Sequence, residues 1–202
     1  LERHRVPIPR TLIVHRENID EVAVTVGFPC VLKRPDSSFS RGVVKVESED
    51  ELRATVADML SGSDLVIAQE FLPTEFDWRI GIFDRKPLFA CRYYMAKEHW
   101  QIVKTGAQDG VRRWGKVETL PVEMAPRAVV RAALAAAATV GSGLYGVDLK
   151  QAGRRTAVIE VNENPNIESG YEDALLKDEL YLRIMEGLLR RVEAIKAGRA
   201  LA

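Results

Sequence analysis

Hydrophobic and polar positions along this chain follow two spacings, one of two residues and one of three to four. Apolar runs predict strands over 10–15, 28–35, 42–48, 64–72, 76–83, 87–97, 145–151 and 156–162. The longer spacing predicts helices over 17–27, after a capping box at Ser48 and Glu51, from Pro126 onward and over 180–195. Residues 98–119 show neither spacing, so we expect an irregular segment there. Strands and helices do not alternate strictly, which predicts an α+β fold in two lobes with mixed and antiparallel sheets.

Composition and charge exclude several functional classes. The 202 residues include 29 Lys plus Arg and 29 Asp plus Glu, so no overall field attracts nucleic acid or a membrane. A short cluster around Trp100 and Trp114, with Arg112 and Arg113, is weak support for a nucleic-acid binder. No signal-peptide pattern is present, and Cys30 and Cys91 show no metal or disulfide spacing, so we expect a cytoplasmic protein with two core cysteines.

The most informative polar residues lie in the hairpin that 145–151 and 156–162 predict. Glu160 and Asn162 are two residues apart and share one strand face, and Asp148 interrupts the apolar residues of the other strand. A three-residue turn over 153–155 places Asp148 opposite Glu160, where like charges destabilise a sheet unless a cation lies between them. A two-residue turn would separate the carboxylates and exclude a metal site. The alternative is a solvated face that pairs with Lys150, Arg154 and Arg155, and the hairpin alone does not decide between the two.

Further motifs precede the hairpin in a fixed order. Lys33 ends an apolar strand, a Ser-rich loop over 36–42 follows, Gln69 and Glu70 end a later strand, and an Asp-x-Arg pair begins at Asp77. Together with the hairpin they resemble the ATP-grasp ligases, most closely the RimK-like α-L-glutamate ligases and more distantly glutathione synthase. The resemblance covers about residues 8 to 195. It implies an ATP-grasp fold whose two lobes clasp ATP between them, with the lobes at 1–72 and 73–202.

The resemblance implies a role for each motif. Lys33 would contact the ATP phosphates, and the 36–42 loop would cover the nucleotide. The Gln-Glu pair would face the adenine, and Asp77 would hold the ribose. The expected ATP-binding residues are Lys33, Ser38, Ser40, Gly42, Gln69, Glu70, Phe71, Leu72 and Asp77.

The same resemblance implies metal and catalytic residues in the second lobe. Asp148, Glu160 and Asn162 would hold Mg²⁺, or Mn²⁺ in its place. Arg92 would stabilise negative charge in the transition state, with Lys104 as a helper, and Asn166 would lie on the substrate side.

The expected activity is ATP- and Mg²⁺-dependent carboxylate–amine ligation through an acyl phosphate, adding glutamate or another amino acid to an amine. The expected partners are small-molecule or peptide carboxylates and amines, without nucleic acid or membrane, and a homo-oligomer is compatible with the sequence. We also expect a preceding N-terminal domain in the whole protein, with residues 1–10 as the end of that segment.

Two departures from the family stand out: Gly42 is the sole glycine of the phosphate loop, and 98–119 lacks the arginine-rich character of ligases that modify ribosomal proteins. The alternative is a nucleotide-binding ATP-grasp module without ligase activity.

Overall fold

The computed structural model describes residues 1–35, 42–105 and 111–198. The chain divides into two compact units, a smaller one over Ile8–Pro73 and a larger one that joins Leu1–Pro7 to Thr74–Ala202. The expected lobe boundary kept residues 1–7 with the first lobe. In the structure they group with the larger unit, where the backbone N–H of Val158 donates to the Pro7 carbonyl at 2.8 Å.

The smaller unit is a four-stranded antiparallel sheet with two helices. Its strands are β1 (Thr11–Val14), β2 (Cys30–Lys33), β3 (Val43–Val46) and β4 (Val66–Glu70), and its helices are α1 (Glu21–Thr25) and α2 (Glu49–Met59). The strand order is β1-β4-β2-β3. Helix α2 begins as its sequence predicts, because the Ser48 hydroxyl accepts a hydrogen bond from the Glu51 backbone N–H at 3.3 Å. Its buried residues Leu52, Val56 and Met59 pack into the core of this unit.

The larger unit contains a five-stranded antiparallel sheet, a two-stranded sheet and two longer helices. The strands are β5 (Phe76–Phe83), β6 (Lys86–Tyr94), β7 (Val103–Thr105), β8 (Arg112–Trp114), β9 (Val117–Leu120), β10 (Leu144–Ala152) and β11 (Arg155–Asn162). The helices are α3 (Arg127–Val140) and α4 (Asp178–Lys196). The large sheet has the order β11-β10-β5-β6-β9, and β7 pairs with β8 separately.

The two faces of the five-stranded sheet differ in chemistry. Alternation along β5 and β10 places Trp78 and Leu149, both fully buried, on one face, and α3 runs along these strands. The opposite face carries Arg79 and Asp148, which are direct cross-strand partners. Helix α4 covers the far end of this second face, where its apolar residues cluster with Phe83, Phe89 and Cys91. The uncovered part of that face is therefore polar and charged.

The expectation of an irregular segment over 98–119 is wrong for its described residues. Three short strands lie there, and β9 adds an edge to the large sheet by pairing Val117 with Tyr93 and Leu120 with Ala90. Each strand has only three or four residues and includes charged side chains, which leaves too few positions for periodicity to reveal.

Two further expectations concern the cysteines and the membrane. Cys30 and Cys91 are free and buried, as predicted, and burial raises the pKa of each thiol to about 11. In the described part of the chain, no helix combines the length and the hydrophobicity that crossing a bilayer requires.

Candidate functional site

The hairpin of β10 and β11 has the shorter of the two turns considered from the sequence. Ala152 pairs with Arg155, so the turn contains two residues, Gly153 and Arg154, which in a regular ladder would separate the two carboxylates. Gly153 has a φ of +59°, a backbone conformation that two-residue hairpin turns require and that glycine adopts at little cost. With a regular ladder, this turn would place Ile159 opposite Asp148.

A β-bulge restores the pairing of the two carboxylates. Leu149 pairs with Val158, but Asp148 pairs with Glu160, so Ile159 is an extra residue between the two pairs. The bulge shifts β11 by one residue relative to β10. Asp148 and Glu160 therefore lie opposite each other on the same face of the sheet, the arrangement that a shared cation requires.

Asn162 completes a group that we call the hairpin triad, composed of Asp148, Glu160 and Asn162. The Asn162 Nδ2 donates to Glu160 Oε1 at 2.9 Å and to Asp148 Oδ2 at 3.3 Å. Among the described residues, no three His, Cys, Asp or Glu side chains group as a metal site, so the triad offers two carboxylates and one amide. A half-turn of that amide would present its Oδ1, and three oxygen donors of this kind fit Mg²⁺ or Mn²⁺.

Arg79 holds Asp148 in place from the neighbouring strand. Its Nε and one terminal nitrogen each donate to a different oxygen of Asp148 at 2.7 Å, a bidentate pair. Its guanidinium also lies over the Tyr93 ring, with Cζ 4.9 Å from the centroid. Burial alone would lower the pKa of Arg79, but the hydrogen bonds and the charge of Asp148 raise it above its ordinary value. The guanidinium thus stays charged and offsets part of the negative charge of the triad.

A second ion pair lies beside the first on the same sheet face. Lys150 Nζ donates to Asp77 Oδ1 at 2.5 Å and to the Thr74 hydroxyl at 3.0 Å. Burial raises the pKa of Asp77 above its ordinary value, although the charge and hydrogen bond of Lys150 act in the opposite direction. Asp77, the expected ribose ligand, is therefore already paired with a lysine of its own unit.

The segment after the triad is anchored by buried acids. Glu172 is 2% exposed and accepts hydrogen bonds from the Tyr93 hydroxyl and from the Glu168 backbone N–H. Pro165 passes close over β10, because a Cβ added at Gly146 would lie 2.8 Å from the Pro165 Cβ. Gly146 pairs with Asn162 of the triad, so Pro165 lies near the triad. The exposed Asn166 follows Pro165 in the same segment.

Arg92 and Lys104 are not brought to the triad. Arg92 follows Cys91, which is the partner of Arg79, so Arg92 projects from the opposite face of the sheet. There its guanidinium lies over the rings of Phe76 and Trp78 at 5.0 and 4.9 Å. Lys104 lies on β7 of the separate two-stranded sheet, opposite Arg113.

The expected ATP-binding residues of the smaller unit form a polar group of their own. Lys33 Nζ donates to Gln69 Oε1 at 2.8 Å, and Gln69 Nε2 donates to the Thr11 hydroxyl at 3.2 Å. The Glu70 carboxylate accepts from the backbone and side chain of Arg10 at 3.2 and 3.3 Å. The structure thus brings the side chains of Lys33 and Gln69 together as diagonal neighbours across the antiparallel strands β2 and β4.

The other expected ATP-binding residues of the smaller unit that the structure describes are Gly42, Phe71 and Leu72. Lys45 Nζ lies 4.5 Å from the centre of the Phe71 ring, and Leu72 is buried. Gly42 has a φ of +69° where β3 begins. Ser38 and Ser40 lie outside the described residues.

The sequence analysis assigned no role to Arg79, Tyr93 or Glu172, and it considered Lys150 only as a partner of a solvated hairpin face. A signal existed for Arg79 and Lys150, since the spacings Asp77-x-Arg79 and Asp148-x-Lys150 each put an acid and a base on one strand face. No local pattern links Tyr93 to Glu172, because these two residues come from distant parts of the chain.

Comparison with known proteins identifies the fold. No protein-family profile matches the chain. A crystal structure of D-alanine–D-alanine ligase from Bacillus anthracis matches 94% of this chain and 64% of its own, with a TM-score of 0.72 and 23% sequence identity. The ATP-grasp ligase PsnB, complexed with a phosphomimetic variant of its minimal precursor, Mg and ADP, matches 95% of this chain and 56% of its own, with a TM-score of 0.64 and 20% identity. The chain has the ATP-grasp fold.

Curated sequences add a resemblance within the ATP-grasp proteins. A probable α-L-glutamate ligase from Vibrio vulnificus is 27% identical over 182 residues, which cover 88% of this chain and 57% of that relative. The resemblance to α-L-glutamate ligases that the motifs predict is therefore confirmed. The chain spans little more than half the length of these ATP-grasp relatives.

Proposed function

We propose that this chain is the nucleotide-binding part of an ATP-dependent carboxylate–amine ligase. The observation that carries the proposal is the hairpin triad, whose two carboxylates meet on one face only because a bulge at Ile159 corrects the register of the hairpin. Asp148 already pairs with Arg79, and the two carboxylates and the Asn162 amide gather the oxygen donors that a divalent cation prefers on one face of the sheet. The ATP-grasp fold and the resemblance to α-L-glutamate ligases support ATP as the source of the negative phosphates that such a cation would bind.

Each unit would contribute to nucleotide binding through its own residues. In the smaller unit, Lys33 would bind phosphate oxygens, and Ser38, Ser40 and Gly42 of the loop would donate backbone N–H groups to them. Gln69 and Glu70, with the Phe71 and Leu72 backbone, would recognise the adenine. In the larger unit, Asp77 would reach the ribose hydroxyls if Lys150 releases it.

The hairpin triad would hold Mg²⁺ or Mn²⁺ through its two carboxylates and the Asn162 amide oxygen. When bound, the ion offsets the charge of the β- and γ-phosphates. Arg79 would keep Asp148 in a fixed orientation, and its remaining N–H groups would face the same polar surface. Arg79 shares the face of the triad, whereas Arg92 does not, and we therefore propose Arg79 as the arginine nearest the reacting phosphate.

The chemistry would proceed in two steps. A carboxylate oxygen of the substrate bonds to the γ-phosphorus while the bond to the β-phosphate oxygen breaks, which gives an acyl phosphate and ADP. An amine then attacks the carbonyl carbon, the C–O bond to phosphate breaks, and the amine loses a proton as the amide forms. The substrates would be glutamate or another amino acid and a small-molecule or peptide amine. Asn166, in the segment that passes the triad, would contact one of them.

Oxygen labelling tests this chemistry. Amino acids with ¹⁸O in their carboxylates are incubated with Mg·ATP and amine acceptors, using both this chain and the longest natural protein that contains it. An acyl phosphate transfers one labelled oxygen to inorganic phosphate, which mass spectrometry detects together with ADP. We expect label transfer by the longer protein and ATP binding with slow turnover by this chain.

Two outcomes would contradict the proposal. Unlabelled phosphate released with ADP indicates simple ATP hydrolysis. ATP binding without ADP formation by the longer protein, for every acceptor, indicates a nucleotide-binding module without ligase activity.

A further inference from the structure

Helix α4 carries apolar residues on two separate faces. The first face holds the buried residues Leu180 and Ile184, and Gly187 packs against the Phe83 ring. The second face is exposed and contains five residues spaced four, three, four and three apart, which we call the outer seam: Tyr181, Met185, Leu188, Val192 and Ile195. Leu182 and Leu189, also exposed, widen it.

The spacing of the outer seam is that of a coiled coil. Apolar residues alternating three and four apart fill the two core positions of a heptad and align along one side of a helix. A helix that is apolar on its solvent side as well as on its packed side buries both when its partner is present. The 19 residues of α4 span about 28 Å, enough for two heptads and for four layers of contact.

The charges at the ends of the seam select an orientation. Asp178 and Lys196 are the first and last residues of α4, and they are separated by five full turns. Both side chains therefore lie along the same line of the helix, beside the outer seam. Two α4 helices that pair antiparallel bring each Asp178 next to Lys196 of the other copy. Parallel pairing would instead join like charges and align the two helix dipoles unfavourably.

We propose that the outer seam of α4 is the interface between two copies of this chain, paired antiparallel about a twofold axis. In this register Tyr181 packs against Val192 of the second copy, and Met185 packs against Leu188 of the second copy. One surface then serves both copies, as twofold symmetry requires. Asp178 of each copy then pairs with Lys196 of the other, and the two copies need no second contact surface for these charges to pair.

Sedimentation of the chain over a wide range of concentration tests the interface. We expect a monomer–dimer equilibrium, and Met185→Glu should raise its dissociation constant about 100-fold, because it would bury a charge at the centre of the seam. Met124→Glu is the matched control, since Met124 is 71% exposed and Met185 is 63% exposed in the same unit. The control should dimerise like the wild type. A chain that stays monomeric overturns the proposal, and so does a dimer that Met185→Glu weakens no more than Met124→Glu does.

Charge reversal tests the antiparallel orientation. Asp178→Lys and Lys196→Asp should each weaken the dimer about fivefold, and the double variant should restore the wild-type dissociation constant. Circular dichroism of each variant verifies that α4 is intact. A double variant that dimerises no better than the single ones contradicts the antiparallel arrangement.

Discussion

The charged residues on the face of the hairpin triad alternate in sign across neighbouring strands. Asp77 and Arg79 on β5 stand beside Lys150 and Asp148 on β10, and each acid contacts a base. Such pairing is necessary because the four side chains are at most 25% exposed, and an unpaired charge at that depth destabilises the fold. Glu160 faces Asp148 across the hairpin, so we expect a divalent cation to bind where the oxygen donors of the triad gather.

Replacing Lys150 tests how far the stability of the protein depends on the ion pair between Asp77 and Lys150. Burial already raises the pKa of Asp77, and without Lys150 that pKa rises further. An acid whose pKa is higher in the folded state loses stability as pH rises from its unfolded pKa through its folded pKa. Lys150→Met should therefore lower the free energy of unfolding by about 2 kcal/mol at about pH 8 and by less at about pH 5. Urea denaturation at both pH values measures the difference.

Arg183→Met is the control for this variant. Arg183 contacts Glu179, and both side chains are about half exposed, so water can replace the arginine and the loss should be small at both pH values. Equal losses for Lys150→Met at both pH values would mean that Asp77 does not titrate as its surroundings imply.

At the scale of elements, the position of α4 depends on one glycine. A Cβ added at Gly187 would overlap the Phe83 ring on β5. Gly187→Ala gains about 1 kcal/mol of helix propensity but overpacks this contact, which costs about 2 kcal/mol. We expect a net loss of about 1 kcal/mol in the free energy of unfolding. In a double-mutant cycle, Phe83→Leu should relieve most of this loss. Additive effects of the two substitutions would show that the ring does not limit the approach of the helix.

The elements also show what sequence can and cannot predict. Four of the five strands of the large sheet and both long helices follow from periodicity, whereas the edge strand β9 does not. The length of the turn and the bulge were not predictable, because residues 153–155 do not reveal that Ile159 is an extra residue six positions from the turn glycine. The face of Arg92 depends on the register of β6 against β5, and the contact of Tyr93 with Glu172 depends on the return of a distant segment. Both features depend on the tertiary structure, and no local sequence pattern predicts them.

At the scale of the whole molecule, the chain has two units with separate cores and spans 57% of the V. vulnificus relative. A ligand that binds the folded chain alone stabilises it by an amount that grows with concentration, about 1.4 kcal/mol for each tenfold excess above the dissociation constant. We therefore expect Mg·ATP to raise the melting temperature in proportion to the logarithm of its concentration. The metal chelator EDTA should remove most of the increase. An increase that is unchanged by EDTA would indicate binding that does not use the triad.

Calorimetric titration of Mg·ATP into the wild type and into the double variant Asp148→Asn plus Glu160→Gln tests the hairpin triad most directly. The substitutions keep the size of both side chains and remove both charges. Glu163→Gln, at an exposed acid just after β11, is the matched control. We expect the wild type and the control to bind Mg·ATP with equal affinity and the double variant to bind it about 100-fold more weakly. If the folded double variant binds Mg·ATP as tightly as the wild type, the triad does not hold the metal.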